Sequence, residues 1–185
     1  KNGEMALTLY KELGIDTTCI IQNPNYSTGV AGIMVNEKTG ENAINIIPGA
    51  AGTLTNDDID RNLNFIAKAE IFLTQLETPY KVTSYALKKA KEKGLATILN
   101  PAPACKIKDD DFELIDFFTP NETEAEFYLN KKIETEKFSL NELAIEFELI
   151  KKMPKKPNKN KTTDIMIVIE MYDVKSLLFL IFAIK

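Results

Sequence analysis

At about 150 residues per domain, 185 residues amount to one domain, and a composition 44% hydrophobic and 27% charged supports a packed core and excludes global disorder. With 23 basic and 27 acidic side chains, a net of −4, the chain lacks the concentrated basic surface that nucleic-acid binding requires. There is no histidine, which removes Ser-His-Asp triads, Cys-His dyads and imidazole zinc sites and leaves acid–base chemistry to carboxylates, Lys, Tyr and Cys.

In chain order, residues 3–13 place Met5, Leu9 and Leu13 at helical spacing before Gly14, predicting a helix. Thr18–Gln22, Gly29–Val35 and Ala43–Ile47 are short apolar or β-branched runs that predict strands. The last two flank the turn residues 36–40 and predict a hairpin. Pro48, Gly49 and Gly52 break the pattern. Thr55 is placed to cap a helix over 56–68. Glu70–Gln75 reads as a strand, and 80–93 as a helix with Val82, Ala86 and Ala90 on one stripe and Gly94 at its end. Ala96–Leu99 is a strand, 109–116 a short helix, Phe117–Thr119 a brief strand and 121–130 a helix.

Ser139 and Glu142 form a capping box for a helix over 139–152. Residues 151–161 hold six lysines, no acid and no aromatic residue, which predicts a solvated loop rather than a base-stacking surface. Ile165–Ile169 predicts a further strand. The apolar run Leu177–Ile184 is far shorter than the roughly 20 residues that span a bilayer, and on an exposed edge it is an aggregation hazard. Strands alternating with helices at this spacing predict an α/β fold with a parallel sheet.

The two cysteines, Cys19 and Cys105, sit in no metal-binding spacing and read as reduced thiols of a cytoplasmic protein. The N-terminal residues form an amphipathic helix pattern with no signal-peptide core. Neither a P-loop nor a dinucleotide-binding glycine fingerprint is present. Open parallel sheets bind ligands outside the carboxyl ends of their strands. Three such ends run into Gln75–Pro79, Asn100–Ala104 and Pro120–Glu124, so neighbouring strands would bring Glu77, Asn100, Asn121 and Glu124 to one rim. Each has a bland reading too. Glu77 suits a solvated loop, Asn100 a turn before Pro101, and Asn121 with Glu124 a helix cap, a role compatible with binding anions.

The phrases Ser27-Thr-Gly-Val-Ala31, Gly40-Glu-Asn42, Gln75-Leu-Glu77, Leu99-Asn-Pro-Ala-Pro-Ala104 and Thr119-Pro-Asn-Glu-Thr-Glu-Ala-Glu126 fall in order across residues 3–152. On these the chain resembles the PfkB-type carbohydrate kinases. The resemblance implies a three-layer α/β/α fold with a small β-sheet lid whose strands lie within 18–47, and a kinase region spanning 1–152. After it come the Lys-rich loop 153–163 and a divergent strand region 164–185. It implies ATP-dependent phosphorylation of D-ribose at its 5-hydroxyl, with a kinase for another sugar or a nucleoside as the alternative. Glu77 matches the carboxylate that binds sugar hydroxyls. Ala31, Ile33 and Ile46 match apolar positions lining the sugar pocket. Asn121 and Glu124 match the pair that organises nucleotide phosphates and Mg²⁺. ATP, Mg²⁺, an activating monovalent cation (K⁺), a cytoplasmic location and a homodimer through the lid follow from the resemblance alone.

Several family features are missing from these residues. The Gly-Gly phrase with its sugar-binding Asn and Asp should precede Lys1, and the Gly-Ala-Gly-Asp phrase carrying the catalytic base should follow Lys185. No glycine occurs after Gly94 that could build an anion hole elsewhere. Ala51 stands where the family has Asn, and Ile169-Glu-Met171 lacks the nucleotide-contacting Thr-x-Gly. The sequence therefore reads as a kinase incomplete at both ends and inactive by itself, with a non-catalytic fragment as the second reading.

Overall fold

The computed structural model describes residues 2–132 and the backbone of two short later strands. The helix expected over 139–152 and the Lys-rich loop lie outside the described residues. The chain divides into two compact units between Asn62 and Leu63.

The first unit opens with α1, Asn2–Glu12, closed by Gly14 at φ +72°. Met5, Leu9 and Leu13, the residues at helical spacing, are 66%, 45% and 63% exposed. Tyr10 is the buried residue, in line with Gly3, Ala6 and Leu7 at i, i+3, i+4 and i+7. Gly3 lets that face come close, since a Cβ there would stand 3.2 Å from Thr28 Oγ1. The strand expected at Thr18–Gln22 is also absent. The Thr18 amide donates to Asp16 Oδ1 (2.8 Å) and the Ile20 amide to the Thr17 carbonyl (3.0 Å), so local turns take the backbone groups a strand would need.

The hairpin is as expected. Strands β1 (Thr28–Val35) and β2 (Asn42–Gly49) pair antiparallel, with Ala31 opposite Ile46 and Ile33 opposite Ile44. Asn36 shapes the loop by accepting from the Lys38 and Thr39 amides. Thr55 caps α2 (Asn56–Arg61) in a capping box with Asp58, as its position suggested. The single helix expected over 56–68 is broken at Asn62. Its Nδ2 donates to the Asp58 carbonyl (2.8 Å) while its amide turns to Ile59, three residues back. The chain resumes as α3, Leu63–Ile66.

The second unit is built on a five-stranded sheet. Its strands are β3 (Ile71–Thr74), β4 (Ala96–Leu99), β5 (Phe117–Phe118), β6 (Met166–Ile167) and β7 (Phe182–Ile184), in the order β6-β5-β4-β3-β7. The first four run parallel. β7, the end of the bare apolar run, pairs antiparallel with β3 and makes the sheet mixed. Helix α4 (Tyr80–Glu92) buries the expected stripe of Val82, Ala86 and Ala90, together with Thr83 and Leu87, and Gly94 follows at φ +82°. On the sheet, Phe72 pairs with Thr97 and Thr74 with Leu99, and all four are buried. The short helix after β4 is 3₁₀, Asp109–Leu114, rather than α. Its first turn holds three aspartates, poor helix-interior residues. Helix α5, Glu122–Leu129, ends at Asn130 in the left-handed region.

Candidate active site

Because β3, β4 and β5 are parallel neighbours with β4 in the middle, their carboxyl ends share one rim. The structure therefore brings Glu77, Asn100, Asn121 and Glu124 to the same edge of the second unit. Two backbone bonds tie the rim together: the Asn100 amide donates to the Thr74 carbonyl and the Leu76 amide to the Ala102 carbonyl, both at 3.0 Å.

The acidic residues at the rim differ in their surroundings. Glu77 is partly buried, its carboxylate has no hydrogen bond or ion pair among the described residues, and burial pushes its pKa up. Glu124 is buried, at 7% exposure, and works as the N3 residue of a capping box on α5. Its Oε2 accepts from the Asn121 amide and its Oε1 from Asn121 Nδ2, each at 2.9 Å. Asn121 Oδ1 in turn accepts from the Glu124 amide (2.9 Å) and from Thr123 Oγ1 (2.8 Å). Burial raises the Glu124 pKa, and the Asn121 amide pulls it partly back. Each carboxylate oxygen keeps a second lone pair, so capping does not exhaust what Glu124 can bind.

Ala31, Ile33 and Ile46 lie in the first unit. The hairpin register puts them on one face, joined by Ile44. Ile33 is 57% exposed, so this face is not covered by the unit's own core.

Sequence reasoning passed over two tyrosines. Tyr128 Oη donates to the Cys105 carbonyl (2.9 Å). Tyr80 Oη donates to Asp111 and accepts from the Lys108 amide (2.8 Å). Burial first, then the Asp111 contact, pushes Tyr80 up to about 12, and burial raises Tyr128 as well. The available signal was a tyrosine opening a helix directly after Pro79, where a polar tip needs a partner. Away from the rim, at the opposite strand ends, Asp116 binds Lys91 Nζ (2.6 Å), the Thr97 amide (2.8 Å) and Thr97 Oγ1 (3.1 Å).

No group of three or more Cys, Asp or Glu residues suited to a metal ion occurs among the described residues. A single carboxylate such as Glu124 fits the way Mg²⁺ is usually held, by one or two carboxylates plus water and phosphate oxygens.

The core of parallel strands, with a carboxylate and a capped helix at its carboxyl rim, is the arrangement in which open α/β sheets bind ligands. The sequence profile of the pfkB family carbohydrate kinases matches residues 1–155, and the chain belongs to that family. It is 39% identical to the ribokinase of Staphylococcus aureus (strain COL) over 127 residues, 69% of this chain and 41% of that protein. It is 38% identical to a deoxyribokinase of Salmonella typhi over 123 residues, 66% of this chain and 40% of that one. The solved ribokinase of Arabidopsis thaliana, complexed with ribose and ATP, matches with a TM-score of 0.56 at 25% identity, over 77% of this chain and 46% of that chain. The chain spans less than half the length of each of these relatives. Among the described residues no helix is long and apolar enough to cross a membrane.

Proposed function

We propose that these residues form the sugar-facing and phosphate-facing rim of an ATP-dependent kinase that phosphorylates D-ribose at its 5-hydroxyl. The observation that carries this reading is Glu77, a partly buried carboxylate without a partner among the described residues, on the same rim as the Asn121–Glu124 cap with β4 between them. A carboxylate drawn partly out of water needs donors, and sugar hydroxyls supply them. Within the hairpin, Ala31, Ile33 and Ile46 share one apolar face of the kind that suits the carbon face of a sugar. Asn121 and Glu124 stand at the N-terminus of α5, where the helix favours negative charge. Their remaining hydrogen-bonding capacity suits a nucleotide phosphate and the waters of its Mg²⁺. The metal would supply charge neutralisation of the transferring phosphoryl group, while these residues position it. The similarity to a deoxyribokinase makes 2-deoxyribose the closest competing sugar.

The 185 residues contain no Gly-Ala-Gly-Asp phrase, and this reading assigns to such a phrase the base that takes the proton of the 5-hydroxyl. The test compares the 185-residue chain with a polypeptide that continues it through such a phrase. ADP release is measured with ribose, 2-deoxyribose, fructose and a nucleoside. Ribose-dependent ADP release from the longer polypeptide alone, abolished by Glu77→Gln, is the expected result. Preference for another acceptor overturns the ribose assignment, and turnover by the 185 residues themselves overturns the placement of the base.

A further inference from the structure

We propose that the loop from Asn100 to Lys108 is a tie that holds the two sides of the rim in register, with Tyr80 and Tyr128 as its positioning residues. This rests on the reading of Glu77 and of Asn121 with Glu124 as the two sides of one site. The loop starts on β4, the strand between the two sides. Its first part is fixed to the Glu77 side, because the Leu76 amide donates to the Ala102 carbonyl at 3.0 Å. Its middle is fixed to the other side, because Tyr128, on the helix capped by Asn121 and Glu124, donates to the Cys105 carbonyl at 2.9 Å. Its end returns to the Glu77 side, because the Lys108 amide donates to Tyr80 Oη at 2.8 Å, three residues beyond Glu77. Tyr80 is held in turn by donating to Asp111.

The bonds thus run in a chain from Leu76 to α5 and back to α4, through backbone carbonyls and an amide of one short loop. Each tyrosine reaches the loop through its hydroxyl. The Tyr128 ring separately packs edge-on against Phe118 at 5.2 Å and Phe112 at 6.3 Å, so ring and hydroxyl have different tasks. Removing a hydroxyl while keeping the ring frees the loop and leaves the packing.

Hydrogen exchange on the 185-residue chain, with no sugar or nucleotide present, tests this independently of the substrate assignment. In Tyr128→Phe the Leu76 amide is expected to exchange roughly three- to tenfold faster, the effect of losing one hydrogen bond on local opening. Tyr80→Phe is expected to do the same at Leu76 and Lys108. The Thr97 amide, held by Asp116 at the opposite strand ends, serves as the internal reference and stays unchanged. Tyr128→Leu, which removes the ring as well, lowers the melting temperature clearly, whereas Tyr128→Phe barely moves it. The proposal is overturned if Leu76 is unaffected in both Phe variants. It is overturned equally if Leu76 responds only in Tyr128→Leu, or if Thr97 accelerates as much as Leu76, since either result makes the tyrosines packing residues only.

Discussion

Glu124 shows how one side chain serves structure and chemistry together. Both of its oxygens accept from Asn121, and Asn121 returns a bond to the Glu124 amide, so each residue fixes the other at the start of α5. Losing a helix cap typically costs 0.5–2 kcal/mol. Glu124→Ala is therefore expected to lower the unfolding free energy by about 1–2 kcal/mol, read from the urea midpoint at constant slope. The pH dependence has a defined sign. Burial raises the folded-state pKa of Glu124, so the folded protein binds its proton more tightly than the unfolded chain. Stability from this group is then greatest below the ordinary glutamate value of roughly 4.3 and declines as pH rises through the raised value. Glu124→Gln removes that decline. Urea titrations of both proteins across the mildly acidic range should show a flatter stability profile in the variant, and identical profiles would rule out a raised pKa.

At the level of elements, two features carry more than their length suggests. Gly49 ends β2 at φ +55°, and a Cβ there would lie 2.4 Å from the Ser27 carbonyl oxygen. That carbonyl accepts the Ala50 amide that closes the hairpin base (2.9 Å). Gly49→Ala is expected to cost about 2–3 kcal/mol from strained backbone alone, seen as a lower melting temperature. In the sheet, Asp116 bridges Lys91 of α4 and Thr97 of β4. Burial works against its charge, yet Lys91 and Thr97 outweigh burial and hold its pKa below the usual range. Its contribution is present above roughly 3.9 and is lost as pH falls through the lower folded value. Asp116→Asn should cost about 2 kcal/mol at neutral pH and soften the acid limb of the unfolding curve. The elements best read from sequence were those whose pattern is local: the hairpin around Asn36–Gly40, β4, and α4 with Val82, Ala86 and Ala90 inward. Elsewhere a local rival won. An Asx turn at Asp16 and a backbone turn from Thr17 displaced the strand at Thr18–Gln22, and Asn62 broke the helix after α2. At the rim, the parallel alternation was enough to bring Glu77, Asn121 and Glu124 together. The hydroxyl contacts of Tyr80 and Tyr128 were not legible, because they join residues 28 and 23 positions apart and depend on where the loop folds back.

For the molecule as a whole, the hairpin poses a solvation problem. Its register gives it two apolar faces: Ala31, Ile33, Ile44 and Ile46 on one, Val30, Met34 and Ile47 on the other, with Val30 directly opposite Ile47. Val30, Met34 and Ile47 are 48%, 63% and 60% exposed. A two-stranded sheet is marginal by itself, and a contiguous apolar patch on both sides calls for cover on both. The homodimer implied by the family resemblance would use the face with Val30, Met34 and Ile47. A closed two-fold contact would place the same patch on both partners, so one substitution strikes the interface twice. Sedimentation of the chain at micromolar concentration is expected to report a dimer, and Val30→Asp with Ile47→Asp to convert it to a monomer. The far-ultraviolet circular dichroism should be preserved, because the α/β unit beyond Leu63 is untouched. A monomeric parent chain, or a double variant that still dimerises, would show that this face is not the contact.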